Sequence, residues 1–243
     1  MAEAGKRTIV VVPTYNEAGN VEQVVDSILA QGPGFEVLIV DDASPDGTGD
    51  LVAAKAADEP RLHLLRRSGK LGLGTAYVAG FREALRLGAD LIAQMDADLS
   101  HDPEELPRFV AAAEEADVVI GSRYVKGGST PGWPWHRRLI SGGMGLACRL
   151  LLRIPVKDPT SGFKCWRRQV LEELPLDKVR SRGFAFQIEM NHMCWRAGYR
   201  MVELPVTFVD RQRGTSKMSL AISVEAAALL CRLSLSGASS RRG

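Results

Sequence analysis

Two aspartates, Asp96 and Asp98, stand one residue apart in Met95-Asp96-Ala97-Asp98-Leu99-Ser100, at the end of the run Leu91-Ile92-Ala93-Gln94-Met95. That run reads as a buried strand, and helix signals follow at Asp102-Pro103-Glu104-Glu105, so both carboxylates emerge at a strand's carboxyl end. Open α/β sheets bind ligands along that edge. A carboxylate held there is a hard oxygen ligand, suited to a divalent cation that also holds phosphate oxygens. Two carboxylates this close repel unless a cation or a donor sits between them, and Asp98 is the first choice of direct ligand. The plainer alternative is that they cap the next helix. The natural partner of the first arrangement is a diphosphate.

A second acidic strand end, Val40-Asp41-Asp42, precedes Ser44, Asp46 and Gly47. An Asx turn before a helix needs only one aspartate, and the other is placed to accept hydrogen bonds from a base or ribose, by analogy with the ribose-binding acid of dinucleotide folds. Pro13-Thr14-Tyr15-Asn16-Glu17 follows the first strand where a dinucleotide fold shows GxGxxG, which disfavours a nicotinamide site. Gly69-Lys70-Leu71 lacks the flanking residues of a P-loop, so no phosphate cradle is assigned there. Arg211-Gln212-Arg213-Gly214-Thr215-Ser216-Lys217 gathers three cations around a glycine. It is either solvated surface charge or a loop that closes over a pyrophosphate. Arg123 and Arg137 adjoin loops on the same rim. His101 and His136 are assigned to loop hydrogen bonding, since neither has a second histidine at ligand spacing.

These residues need a scaffold, and the chain alternates strand and helix patterns: strands at 8–12, 36–40, 62–65, 91–95 and 118–121, helices at 17–30, 47–57, 73–87 and 103–115. The fold class is therefore α/β, a Rossmann-like, mostly parallel sheet flanked by helices. From Lys126 the alternation loosens. Trp133-Pro134-Trp135-His136-Arg137-Arg138 precedes an apolar helix to Leu152 and offers an entrance for an acceptor. Asp158–Lys164 reads as a turn, 184–197 as a helix and 199–208 as a strand. The expected division is a catalytic domain over 1–219 and a C-terminal tail over 220–243; the segment 216–235 is weakly amphipathic, and in it Met218, Ile222, Leu229, Leu230 and Leu233 share a face that packs on a core or lies on a membrane.

At 243 residues one substantial core is expected. The net charge of +2 gives no nucleic-acid footprint. Four scattered cysteines make neither CxxC nor zinc spacing, so reduced thiols are expected. The polar opening and the lack of a run of about 20 apolar residues point to a cytoplasmic protein whose membrane contact is peripheral.

Taken in order, PTYNE (13–17), VDDASPDGT (40–48), MDADLSHDP (95–103), GSRYVKGG (121–128), DPTSGFK (158–164), GFAFQIEM (183–190) and DRQRGTSKM (210–218) resemble the family-2 inverting glycosyltransferases of GT-A fold, specifically the polyprenol-phosphate (dolichol-phosphate) mannose synthases. The resemblance implies that Pro13, Tyr15, Glu17, Val40 and Asp42 hold the nucleoside, and that Asp96, Ala97 and Asp98 bind the sugar nucleotide and its Mg2+ or Mn2+. It places Arg123, Arg211 and Lys217 near the phosphates and Arg137 at the acceptor phosphate. It also implies a GDP-mannose donor, a polyprenyl-phosphate acceptor, a membrane surface and a possible membrane partner protein. The chain departs from the family pattern at Ser100, often glutamine, and at Gly142-Gly143-Met144-Gly145, commonly Arg-Gly-Ala-Asn. Alternatives of the same or another class are a UDP-glucose-dependent transferase, a haloacid-dehalogenase-type phosphatase and a sugar-nucleotide-binding protein without turnover.

Overall fold

The computed structural model describes residues 6–209 and 229–234. Strands β1 (Thr8–Thr14), β2 (Phe35–Asp41), β3 (Leu62–Arg66), β4 (Leu91–Gln94), β5 (Val118–Ser122), β6 (Lys164–Arg167) and β7 (Met201–Pro205) form one sheet in the order β3-β2-β1-β4-β6-β5-β7. Every neighbouring pair is parallel except the two made by β6. Both faces are covered, so the central strands are apolar throughout: Ile9 and Val11 enter one core while Val10 and Val12 enter the other. Helices α1 (Val21–Leu29), α2 (Thr48–Ala56) and α4 (Leu106–Ala112) cover one face. Helices α3 (Leu73–Arg86), α6 (Arg168–Glu173) and α7 (Ala185–Ala197) cover the other, and α5 (Trp135–Ala147) lies between β5 and β6 in the chain. Parallel register aligns the carboxyl ends of β1, β2 and β4, with Thr14 beside Asp41 and Val11 beside Gln94.

Helix α3 approaches the sheet closely because of its glycines. A Cβ on Gly80 would lie 2.3 Å from Val11 Cγ1, and one on Gly74 would lie 2.3 Å from the Ser181 carbonyl oxygen. The close approach carries Tyr77 of α3 to the end of β4.

The antiparallel strand β6 and the short helix α6 are absent from the sequence reading, which ends a turn at Lys164. Lys164-Cys165-Trp166-Arg167 has charge at both ends and no apolar alternation, so the period-2 signal fails. What makes it a central strand is a buried polar network. Lys164 Nζ donates to Gln187 Oε1 at 2.7 Å, Gln94 Nε2 donates to the same oxygen at 2.9 Å, and Trp166 Nε1 donates to Gln94 Oε1 at 3.1 Å. Burial lowers Lys164 to about 7. The thiols of Cys148, Cys165 and Cys194, also buried, are pushed up to about 12.

Of the apolar stripe read in the tail, Leu229 and Leu230 are buried against the α3, α6 and α7 side and Leu233 packs partly on it, while Arg232 pairs with Glu189 at 2.8 Å. Met218 and Ile222 lie outside the described residues, as do the cations Arg211, Arg213 and Lys217. Among the described residues no helix is long and apolar enough to cross a membrane.

The buried amine gives a pH signature. Between about pH 7 and 8 the unfolded chain keeps the Lys164 proton that the fold releases, so stability rises with pH by about 1 kcal/mol per unit. Above about pH 9 the sign reverses, because the unfolded chain loses thiol protons that the fold retains. In urea denaturation across this range, Lys164→Met is expected to flatten the rise from pH 7 to 8 and leave the alkaline fall.

Candidate active site

The loops leaving β1, β2 and β4 enclose a cleft of about 190 Å³ lined by Pro13, Thr14, Tyr15, Glu17, Asp42, Lys70, Gly72, Leu73, Ala76, Asp96, Ala97, Asp98 and Phe184. Asp96 is fixed by Tyr77, whose hydroxyl donates to Oδ1 at 3.0 Å. Desolvation, reinforced by the Asp96 charge, raises Tyr77 well above the usual phenol range, so it stays a donor. Gly162 closes the other side: a Cβ there would sit 3.1 Å from Asp96 Oδ2. Asp98 is fixed by Ser100, which donates to Oδ1 from its hydroxyl at 2.5 Å and its amide at 3.1 Å. Ser100 is itself buried, so it orients Asp98 where the family's glutamine would stand.

Each of the three strand-end loops holds one non-glycine residue in the left-handed region: Asn16 (φ 61°), Ala43 (φ 54°) and Leu99 (φ 60°). Ala43 and Leu99 each cost about 1–2 kcal/mol there. Side-chain hydrogen bonds hold them. Asp98 and Ser100 bracket Leu99, and Asp41 accepts from Thr14 Oγ1 at 3.1 Å and Ser44 Oγ at 2.5 Å around Ala43. Ser44 accepts from the Asn16 amide at 3.1 Å, and Asp46 accepts from the Ala18 amide at 3.0 Å. Asp41 thus takes the turn role and Asp42 faces the cleft. Arg67 Nη1 donates to Asp42 Oδ1 at 2.7 Å and the Leu71 amide to Oδ2 at 3.3 Å. Desolvation nevertheless raises the Asp42 carboxyl above its ordinary value.

Beyond the cleft, Arg123 is part-buried and clamped to Asp158, with Nε to Oδ2 at 2.7 Å and Nη2 to Oδ1 at 2.6 Å, and Nη2 also donates to Thr160 Oγ1 at 2.8 Å. The Asp158 charge and hydrogen bonds outweigh desolvation and raise Arg123 further. Around it runs a ladder of cations and rings. Arg137 stacks on Trp133 at 3.8 Å, Trp133 meets Phe208 at 5.4 Å, Phe208 meets His101 at 5.2 Å, and His101 meets Phe163 at 5.1 Å. The Val209 amide donates to the Ser100 carbonyl at 3.2 Å, tying the chain that leaves β7 to the loop of the two aspartates.

Of the residues read from sequence, Pro13, Tyr15, Glu17, Asp42, Asp96, Ala97 and Asp98 come together in the cleft. Two of the residues stand outside the cleft lining, and His101 differs from its reading. Val40 is fully buried in the core, where a Cβ on Gly80 would meet it at 2.9 Å, because it points to the face opposite Asp41. Arg123 does not line the cleft, since Asp158 holds its guanidinium. His101 is no loop hydrogen-bonder: among the described residues neither ring nitrogen has a hydrogen-bond partner, the ring packs between Phe163 and Phe208, and desolvation lowers it to about 4. Sequence reasoning missed Tyr77, Phe184 and Lys70. Lys70 stands 4.1 Å over the Tyr15 ring and lines the cleft, although the string around it is no P-loop. A tyrosine on the apolar face of α3 was the available signal for Tyr77.

A mostly parallel α/β sheet with an Asp-X-Asp pair and a second acid along its carboxyl edge defines a nucleotide-binding transferase scaffold. The sequence model of the family described as Glycosyl transferase family 2 matches residues 9–175, and the chain belongs to that family. It is 44% identical over 229 residues to an undecaprenyl-phosphate mannosyltransferase of Micrococcus luteus, covering 94% of each chain. It is 46% identical over 219 residues to a polyprenol monophosphomannose synthase of Mycolicibacterium smegmatis, covering 88% of this chain and 82% of the relative. Among solved structures it is similar to glucosyl-3-phosphoglycerate synthase from Mycobacterium tuberculosis in complex with Mn2+ and UDP, with a TM-score of 0.68 at 20% identity over 96% of this chain and 81% of that one. A mannosyltransferase from Pyrobaculum calidifontis in complex with GDP-Man and Mn2+ gives a TM-score of 0.60 at 21% identity over 99% of this chain and 66% of that one. These neighbours share the GT-A fold.

Tyr77 is fully buried behind Asp96. Tyr77→Phe is expected to keep the fold and weaken divalent-cation-dependent binding of a nucleoside diphosphate about tenfold, measured by calorimetry with and without the metal.

Proposed function

We propose that this protein transfers mannose from GDP-mannose to a polyprenyl monophosphate with inversion at the anomeric carbon, working peripherally at the cytoplasmic face of a membrane. The observation that carries the reading is the cleft that sets Asp96 and Asp98 at the end of β4 opposite Asp42 and Tyr15. Two oriented carboxylates are hard oxygen donors that fit Mg2+ or Mn2+, and no third acid, histidine or cysteine joins them among the described residues. Asp96 and Asp98 would hold the cation. When bound, the cation neutralises the leaving diphosphate.

The chain's own residues do the rest. Asp42 and Tyr15 hold the nucleoside, with Lys70 available to its phosphates. The acceptor is a phosphate monoester whose second pKa near ~6 leaves it ionised at neutral pH, so one of its oxygens attacks without a general base. The new bond joins that oxygen to the anomeric carbon, the bond from that carbon to the β-phosphate oxygen breaks, and GDP leaves with the electron pair. Arg137 orients the acceptor phosphate. Arg123 acts through Asp158 as a positioning residue. Arg211 and Lys217, which lie outside the described residues, stabilise the departing diphosphate in this reading.

Purified protein incubated with Mg2+ or Mn2+, a polyprenyl phosphate and labelled GDP-mannose or UDP-glucose tests the proposal by label extracted into organic solvent. Lipid-dependent label from GDP-mannose is expected, and label from UDP-glucose alone would replace the donor. Asp98→Ala and Lys217→Ala are each expected to lower the rate at least about a hundredfold without changing the circular dichroism spectrum. Near-normal turnover in either would overturn the assignment.

A further inference from the structure

Among the described residues ten large hydrophobic side chains are exposed, and six of them lie on α5 and the π-helical turn Cys148–Leu152 that prolongs it. Trp135 (76% exposed), Leu139 (68%), Leu146 (49%) and Leu150 (70%) are separated by four, seven and four residues, which places them on one helical face. Ile140 and Leu151 flank that face. A helix that packs on a domain normally turns polar residues to water, and this one turns apolar ones. Gly142 and Gly143, at the family's Arg-Gly positions, leave the face unobstructed, since a Cβ on either would meet nothing within 4 Å.

Charge selects the occupant. Residues 118–157 contain seven lysines and arginines and no aspartate or glutamate, although the whole chain carries only +2. Arg138, Arg149 and Arg153 are exposed beside the apolar stripe. A second copy of this chain would bring the same cations face to face, which opposes an isologous dimer. A transmembrane helix of a partner would leave them unpaired in an apolar contact. An anionic bilayer satisfies both features, because leucine and tryptophan enter the headgroup boundary while arginine meets lipid phosphate.

We propose that the exposed face of α5 is the membrane-docking surface of this protein and lies in the plane of an anionic bilayer. The inference rests on the acceptor being the lipid phosphate proposed above. It adds a reason for the position of Arg137, which is carried by the same helix and stacked on Trp133: docking sets it at headgroup level, where a polyprenyl phosphate presents its charge.

The test uses the full chain with phosphatidylcholine vesicles made with and without phosphatidylglycerol. Flotation is expected to bring down the wild type with the mixed vesicles, more weakly with pure phosphatidylcholine or in high salt. The double variant Leu139→Glu/Leu150→Glu is expected to partition at least about tenfold less. It should keep its melting temperature, its affinity for GDP-mannose and transfer to a short-chain, water-soluble polyprenyl phosphate, while losing transfer to a long-chain acceptor embedded in vesicles. As a second measurement independent of that variant, brominated lipid should quench wild-type tryptophan emission, and Trp135→Phe should remove most of the quenching. Equal partition of wild type and variant, absence of wild-type binding, or a concentration-dependent dimer that the double variant dissolves would each overturn the docking proposal. Vesicle binding without transfer from any donor would uphold docking and refute the proposed activity.

Discussion

Two carboxylates one residue apart at the end of a buried strand repel each other, and much of the surrounding structure holds them in place. Tyr77 reaches Asp96 because Gly74 and Gly80 let α3 come within a methyl group's width of the sheet and of the Ser181 backbone. The Asp158–Lys164 turn presses Gly162 against the other oxygen of Asp96. Ser100 grips Asp98 at the expense of a left-handed Leu99. The left-handed backbone at Leu99 stores strain in this loop, as preorganised ligand sites do.

The antiparallel strand β6 follows from the same requirement. A parallel strand in its place would enter from the opposite end of the sheet and put its leading loop on the far edge. By running backwards between β4 and β5, β6 starts at the ligand edge and delivers Asp158, Thr160 and Gly162 to it. Asp158 then clamps Arg123 from β5, and the ladder Arg137, Trp133, Phe208, His101, Phe163 extends from that clamp. Helix α5, the exit of β7 and the aspartate loop are therefore one packed unit. His101 holds its place in that unit by packing, since neither of its ring nitrogens has a hydrogen-bond partner among the described residues.

The parallel half of the fold was legible because its strands are buried on both faces and its helices are amphipathic, and these are the signals that periodicity detects. The strand-end acids were legible because burial gives no reason for their presence. Val40 and Arg123 stand outside the cleft lining for a common reason: the resemblance supplied a position in a motif and could not say to which side the chain turns it. The Val40 side chain enters the core within β2 while Asp42 follows the strand's end, and Asp158, 35 residues away in sequence, holds Arg123. β6 was illegible because its driving force is the network of Lys164, Gln187, Gln94 and Trp166, whose members are up to 93 residues apart. No local window contains it.

The near-neutral net charge conceals a division of labour. The donor cleft gathers acids from β1, β2 and β4, and the segment from β5 to the Asp158 turn carries only cations. Such segregation costs stability through like-charge repulsion within each half and is retained where each half meets an oppositely charged ligand. A metal-diphosphate complex satisfies the acidic cleft. The basic segment requires phosphate of another kind, spread over a surface rather than held in a pocket, because its cations flank an exposed apolar helix instead of converging on a point. Arg137 is where the two demands meet: its stacking on Trp133 connects it through Arg123 to the Asp158 turn, and its place on α5 fixes its height against whatever that helix rests on. On the docking proposed above, the depth to which the helix settles becomes a term in the alignment of attacking phosphate and anomeric carbon, and the proposed transfer to a lipid acceptor is coupled to the surface as well as to the site.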